Sequence, residues 1–152
     1  MSEPQRVRDA IRVLARISRQ LETADSGLTL PQYRMLSALS DGGQRSARLA
    51  QRLAIRKPTA TALADGLVAA GYAERESEPG DRRIVRLEMT PAGEAALARA
   101  DDAFTAKIGP LLNQVPDPAA LVKALLALGQ AIDARAEELA AAQRATVTEG
   151  AR

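Results

Sequence analysis

The chain of 152 residues has no cysteine, no histidine and no tryptophan, and only one phenylalanine and two tyrosines. Lack of cysteine excludes disulfides, thiolate metal sites and thiol redox sensing. Lack of histidine removes the usual zinc sites and imidazole acid–base catalysis. No G-x-S-x-G, P-loop or G-x-G-x-x-G pattern occurs. The adjacent acids Asp101-Asp102 and Glu137-Glu138 would point about 100° apart on a helix, which reads as solvated surface and not as a catalytic or metal-binding pair. The sequence therefore implies no enzyme, no metal and no cofactor. No apolar run approaches membrane-spanning length, and the stretch from Met1 to Arg6 lacks the apolar core of a signal peptide. A cytoplasmic protein with no membrane partner is expected.

What is present is a chain 46% apolar, enough for one domain, alone or with a dimerisation extension. A first helix is expected from about Pro4 to Ala24. Val7, Ile11, Leu14, Ser18 and Leu21 form one stripe on it with Ile17 beside it, and Arg8, Arg12, Arg16 and Arg19 lie elsewhere. Thr29-Leu30-Pro31-Gln32 reads as a capping box opening a second helix with Tyr33, Leu36 and Leu39, ended by Asp41-Gly42-Gly43. Ser46 reads as the N-cap of a third, which carries Leu49, Ala50 and Leu53 inward before the turn Ala54-Ile55-Arg56.

The fourth helix, Lys57 to Ala70, is marked at both ends, by Pro58 in its first turn and by Gly71 where a left-handed residue closes it. Ala60, Leu63, Ala64 and Leu67 share one face. Lys57, Thr59, Thr61, Ala62 and Asp65 share the other, which is small, polar and free to approach something. After Gly71 the period changes. Val85, Leu87 and Met89 alternate with Arg86 and Glu88 as in a half-buried strand, and Glu78-Pro79-Gly80-Asp81 suits a type II turn. Two tightly joined helices followed by a hairpin spell a helix-turn-helix with a wing.

Net charge is only +2, yet residues 45–90 hold nine Arg or Lys against six Asp or Glu, whereas residues 91–152 hold six against eight. Arg75, Arg82, Arg83 and Arg86 gather at the hairpin, which suits phosphate and minor-groove contact. Beyond it, Thr90-Pro91 opens a helix through Leu97, Ala100, Phe104, Ile108 and Leu111 to about Asn113. Pro116-Asp117-Pro118 restarts the chain into a last helix with Leu121, Leu125, Leu128, Ile132 and Leu139, ending near Ala142.

Asp81-Arg82-Arg83 followed by Leu87-Glu88-Met89-Thr90 and Gly93 resembles the D-x-R…L-T-x-x-G wing signature of the MarR family of winged helix-turn-helix regulators. Ser46 to Leu53, Lys57-Pro58-Thr59, Asp65, Leu67 and Leu28 to Gln32 are similar to the same pattern. The chain departs from it at Arg56, where a serine is frequent, and at Ala62 and Gly66, where arginines are. The resemblance implies a mainly α fold with a small β-hairpin wing. It divides the chain into an N-terminal dimerisation helix (1–28), a winged helix-turn-helix domain (29–93), C-terminal dimerisation helices (94–145) and a flexible tail (146–152).

Functionally, the resemblance implies a homodimeric repressor that binds double-stranded DNA and leaves a pseudopalindromic operator when a small-molecule effector binds. The alternatives are a ligand-independent activator or anti-silencing protein, and a protein-interaction module that has lost DNA. The expected DNA-binding set is Lys57, Thr59, Thr61, Ala62, Arg75, Asp81, Arg82, Arg83 and Arg86. The resemblance gives Arg83 the minor groove and Asp81 the task of holding it, and Asp65 reads as support for the wing. Leu14, Ile17, Tyr33 and Phe104 are candidate effector-pocket residues by position.

Overall fold

The computed structural model describes residues 2–78 and 80–149, with the side chains of residues 78, 82, 83 and 143–149 outside that description. The chain runs α1 (Glu3–Glu22), α2 (Leu30–Leu39), β1 (Gln44–Arg45), α3 (Ser46–Arg52), α4 (Lys57–Ala69), β2 (Ala73–Glu78), β3 (Asp81–Met89), α5 (Pro91–Leu112) and α6 (Pro118–Glu149). The three strands form one antiparallel sheet in the order β1-β3-β2.

The starts and stops follow local chemistry. At α2 the Thr29 hydroxyl accepts from the Gln32 backbone N–H, while the Gln32 side chain accepts from the Thr29 N–H, closing a capping box. At the end of α4, the Gly71 N–H donates to the Val68 carbonyl and the Tyr72 N–H to that of Leu67, with Gly71 at φ +76°. That is a Schellman closure, which glycine adopts without steric cost. Asp117 caps α6 by accepting from the Ala120 N–H at 2.9 Å.

Two boundaries and one strand differ from the sequence reading. Ser46 is already helical and Arg45 is the N-cap, with no side-chain cap bond, because Gln44 and Arg45 pair with Leu87 and Arg86 on β3 and α3 starts directly from that strand. The two-residue β1 itself was not expected. The last helix continues beyond Ala142 to Glu149, since residues 143–149 contain no glycine or proline to break it. Of the expected flexible tail, residues 146–149 are thus helical, and the remainder lies outside the described residues, as does Pro79 of the turn.

The core belongs to the middle of the chain. Met35, Leu36 and Leu39 of α2 meet Leu49 and Leu53 at α3, Ala60, Ala64 and Leu67 of α4, Ala73 of β2 and Leu87 of β3. Truncating a fully buried leucine such as Leu67 to alanine costs about 2–5 kcal/mol in such a setting. Val85 follows the alternation of β3 but is exposed, because it lies further along the hairpin than the helices reach. Ala96, Ala100 and Phe104 bury one face of α5. The outer helices are different. No described residue of α1 is buried, and Ile11 on α1 and Ile132 on α6 are each 59% exposed, with Val7, Leu126 and Leu139 open as well.

Candidate nucleic-acid interface

α4 buries Ala60, Ala64 and Leu67 and exposes Lys57, Thr59, Thr61, Ala62, Asp65 and Gly66. Thr61 uses its hydroxyl hydrogen within the helix, donating to the Lys57 carbonyl at 3.0 Å, so its oxygen remains available chiefly as an acceptor. A Cβ added at Gly66 would meet nothing within 4 Å, so this face is open. The turn into α4 repeats the closure seen at its end: Ala54 N–H donates to Gln51 and Ile55 N–H to Ala50, with Ala54 at φ +52°. A β-carbon is tolerated there only at a steric cost.

The hairpin is joined to α4 by charge. Arg75 on β2 donates through Nη2 to the Asp65 carboxylate, both side chains remaining partly exposed. This link spans ten residues of chain and sets the base of the hairpin against the exposed face of the helix. β2 and β3 pair from Ala73↔Met89 to Glu78↔Asp81 with an irregularity between Ser77 and Glu78, and Gly80 turns the chain at φ +95°.

Several described arginines near this surface serve the protein itself. Arg86 reaches across the sheet, donating from Nη2 to the Gly43 carbonyl and lying 3.6 Å from the Glu88 carboxylate, so it fastens the segment before β1 to β3. Arg52 donates to the Ala38 carbonyl at 3.1 Å and to Asp41 at 3.0 Å, and Arg34 donates to the Leu53 carbonyl at 3.0 Å. These two staple α3 onto α2. The guanidinium groups of Arg75 and Arg86 are therefore engaged inside the chain, and Arg34 and Arg52 are structural arginines that the sequence reading did not single out. It also left Arg48 and Arg56 out of the DNA-facing set, although both are exposed and Arg56 precedes Lys57 at the start of α4. Asp81 opens β3 and is partly buried. The contacts expected of the Arg82 and Arg83 side chains lie outside the described residues.

The signature residues Thr90 and Gly93 act as a joint. The Thr90 hydroxyl donates to the Gly71 carbonyl at 2.6 Å and accepts from the Gly93 N–H at 3.1 Å, while its backbone N–H donates to Tyr72 at 3.1 Å. A β-carbon on Gly93 would stand 2.0 Å from the Tyr72 carbonyl oxygen. The end of α4, the end of β3 and the start of α5 thus meet at one packed point that admits no side chain.

Of the four residues expected around an effector, Tyr33 and Phe104 pack directly on each other, Leu14 is exposed and Ile17 is half-buried. The Tyr33 hydroxyl donates to Asp101 Oδ1 at 2.7 Å. Burial, then the bond to Asp101 and its negative charge, push the Tyr33 phenol up to about 12. Two clefts open elsewhere, between α3 and α6. One, about 530 Å³, is lined by Ala54, Ile132 and Leu139 among others. The other, about 910 Å³, is lined by Arg48, Arg86, Asp133 and Glu137 among others, and Gln51, Arg52, Ala136 and Ala140 line both.

Among the described residues there is no helix long and apolar enough to cross a membrane and no cluster of acids able to hold a metal. A family model described as MarR family matches residues 26–84. The HTH-type transcriptional repressor YetL of Bacillus subtilis (strain 168) is 29% identical over 97 residues, which are 62% of this chain and 58% of that protein. The chain therefore spans less than two thirds of that relative's length. The crystal structure of RV1404 from Mycobacterium tuberculosis is 27% identical with a TM-score of 0.68, covering 86% of this chain and 95% of that one. The transcriptional regulator BldR from Sulfolobus solfataricus has the same fold, with 24% identity, a TM-score of 0.67, and coverage of 84% of this chain and 97% of that one. With the matched segment spanning the helix-turn-helix and the start of the wing, and the whole architecture shared with these structures, the chain has a winged helix-turn-helix fold and is similar to MarR-family proteins.

Proposed function

We propose that the chain is a homodimeric transcriptional repressor that binds a pseudopalindromic DNA site through α4 and the hairpin, and is released by a small molecule. The observation that carries this reading is the Arg75–Asp65 link, which holds an arginine-bearing hairpin beside a helix face that is small, polar and exposed. That pairing suits a helix in the major groove with a wing on the adjacent backbone and minor groove. Lys57 and Arg56 supply phosphate contacts at the start of α4, Thr59 and Thr61 reach base edges, and Arg82 and Arg83 serve the wing. The name of the relative YetL supports the word repressor.

Self-association is the outlet for the uncovered apolar stripes of α1 and α6, since exposed patches of this kind mark interaction surfaces. A second copy would present two α4 helices to two half-sites. For the effector, the α3–α6 clefts are better placed than the four residues first considered, because they separate the winged body from a terminal helix. A ligand wedged there would favour one relative arrangement and shift the population of the other.

The test is fluorescence anisotropy with a duplex covering the DNA that flanks the chain's own gene, against a scrambled duplex, over a salt series and alongside sedimentation. A dimer that prefers the flanking duplex, with affinity falling steeply as salt rises, is the expected result. Equal affinity for both duplexes would mean binding without sequence preference, and binding to neither would favour a winged fold that has given up DNA, a reading to which the bare positions Ala62 and Gly66 lend support.

A further inference from the structure

Tyr33 belongs to α2, inside the winged body, whereas Asp101 and Phe104 lie on α5, the helix that leaves that body. The two rings meet edge to face, with centroids 4.8 Å apart and planes at 90°. Phe104 is only 8% exposed and Tyr33 is half-buried, so the contact is anchored on the Phe104 side. The phenol hydroxyl lies at the solvent side of this contact and donates to Asp101, a partner 68 residues away in sequence.

The position of this contact gives it leverage. α5 is anchored at its start, where Thr90 bonds to Gly71 and Gly93 packs on Tyr72. Asp101 stands eleven residues beyond Thr90, about 16 Å along the helix at 1.5 Å per residue. A helix fixed at one end only can swing about that end; a second, directional attachment at this distance removes that freedom. Ala96 and Ala100, buried between the two points, supply close contact without direction. α2, α3 and α4 share one core through Leu36, Leu49 and Leu67, so a rotation of α2 against α5 carries the whole DNA-facing surface with it.

We propose that the Tyr33–Asp101 hydrogen bond is a latch that sets the angle between the winged body and α5, which makes Tyr33 and Asp101 positioning residues for DNA binding. The latch stands on geometry alone; its effect on DNA rests on the regulator reading above. The ring pair supplies the packing and the hydroxyl supplies the angle. Tyr33→Phe keeps the first and removes the second. Asp101→Ala removes the acceptor, and Asp101→Asn retains one at the same atom.

The experiment uses the full chain, whose lack of cysteine lets two spin labels be placed at will, on Ala69→Cys at the end of α4 and Ala106→Cys on α5, both exposed. Dilution with unlabelled chain isolates the distance within one protomer. The parent and Asp101→Asn should give one narrow distribution, and Tyr33→Phe and Asp101→Ala a broad one. On the flanking duplex each of the latter two should lose about fivefold in affinity, the scale of one net hydrogen bond, and the double variant no more than either. Distributions as narrow in Tyr33→Phe and Asp101→Ala as in the parent would overturn the latch, whatever DNA does. So would losses in the two single variants that multiply in the double. A parent that does not bind the flanking duplex would instead refute the regulator reading, and the distance measurement would still decide the latch.

Discussion

Arg75 of β2 donates to Asp65 of α4, so the hairpin and the helix that would read DNA are one piece and not two neighbours. A partly exposed ion pair of this kind contributes about 0–1 kcal/mol to stability, so its value lies in orientation. Asp65→Ala and Arg75→Ala should each leave the melting temperature within a few degrees of the parent yet weaken binding to the flanking duplex. Because they break the same link, the double variant should be no weaker than the worse single one. Thermal melts and anisotropy on the four proteins check this; losses that simply multiply would mean that Arg75 contacts DNA directly.

Gly93 is held against the Tyr72 carbonyl so closely that even a methyl group cannot enter. The obstacle is backbone, which cannot turn aside as a side-chain tip would. Gly93→Ala should therefore destabilise the fold by about 1–3 kcal/mol or more, the usual cost of overpacking. Urea denaturation should show a lowered midpoint with an unchanged slope.

Ala54 presents the opposite case. It holds φ +52° in the turn between α3 and α4, a position that glycine fills without a steric penalty. Ala54→Gly should raise stability by about 0.5–1 kcal/mol, the relief of the left-handed backbone being partly offset by the greater entropy of glycine in the unfolded chain. The same urea experiment measures it, and a destabilised Ala54→Gly protein would contradict the strain.

Tyr33 adds a pH signature. Its folded-state pKa is raised to about 12, above the ordinary tyrosine value of 10.0, so its contribution is complete below pH 10 and is lost as pH rises from 10 towards 12. Stability followed by denaturant titration over this range should fall in the parent, and the part of that fall due to Tyr33 should vanish in Tyr33→Phe. Identical alkaline profiles for the two proteins would show that Tyr33 is not shielded.

The sequence made the winged segment legible where the signals are local. Pro58 and Gly71 bound α4, Thr29 and Gln32 cap α2, the alternation at Leu87 and Met89 marks β3, and Thr90 with Gly93 marks the start of α5. β1 escaped because two residues are too short for any period to show. Ser46 was misplaced as a cap because its neighbour Arg45 is held by a strand pairing 41 positions away in the chain, at Arg86. The arginines are the deeper lesson. A cluster of positive charge near a turn suggests a nucleic-acid surface, but which members are free depends on tertiary partners: Asp65 for Arg75, the Gly43 carbonyl for Arg86, the Leu53 carbonyl for Arg34. Tyr33, a candidate pocket residue by position, likewise has partners that no local pattern shows, Phe104 against its ring and Asp101 at its hydroxyl.

The central claim, two winged bodies reading two half-sites, is tested most directly by hydroxyl-radical footprinting of the full chain on the DNA flanking its own gene. The account predicts two protected patches about 34–36 Å apart, one helical turn, with flanking minor-groove protection where each wing lies. In Arg83→Ala the flanking protection should disappear while the central major-groove patches persist at higher protein concentration, and Lys57→Ala should weaken all patches alike. A single protected patch, uniform weak protection along the whole duplex, or an Arg83→Ala footprint identical to the parent's would contradict it.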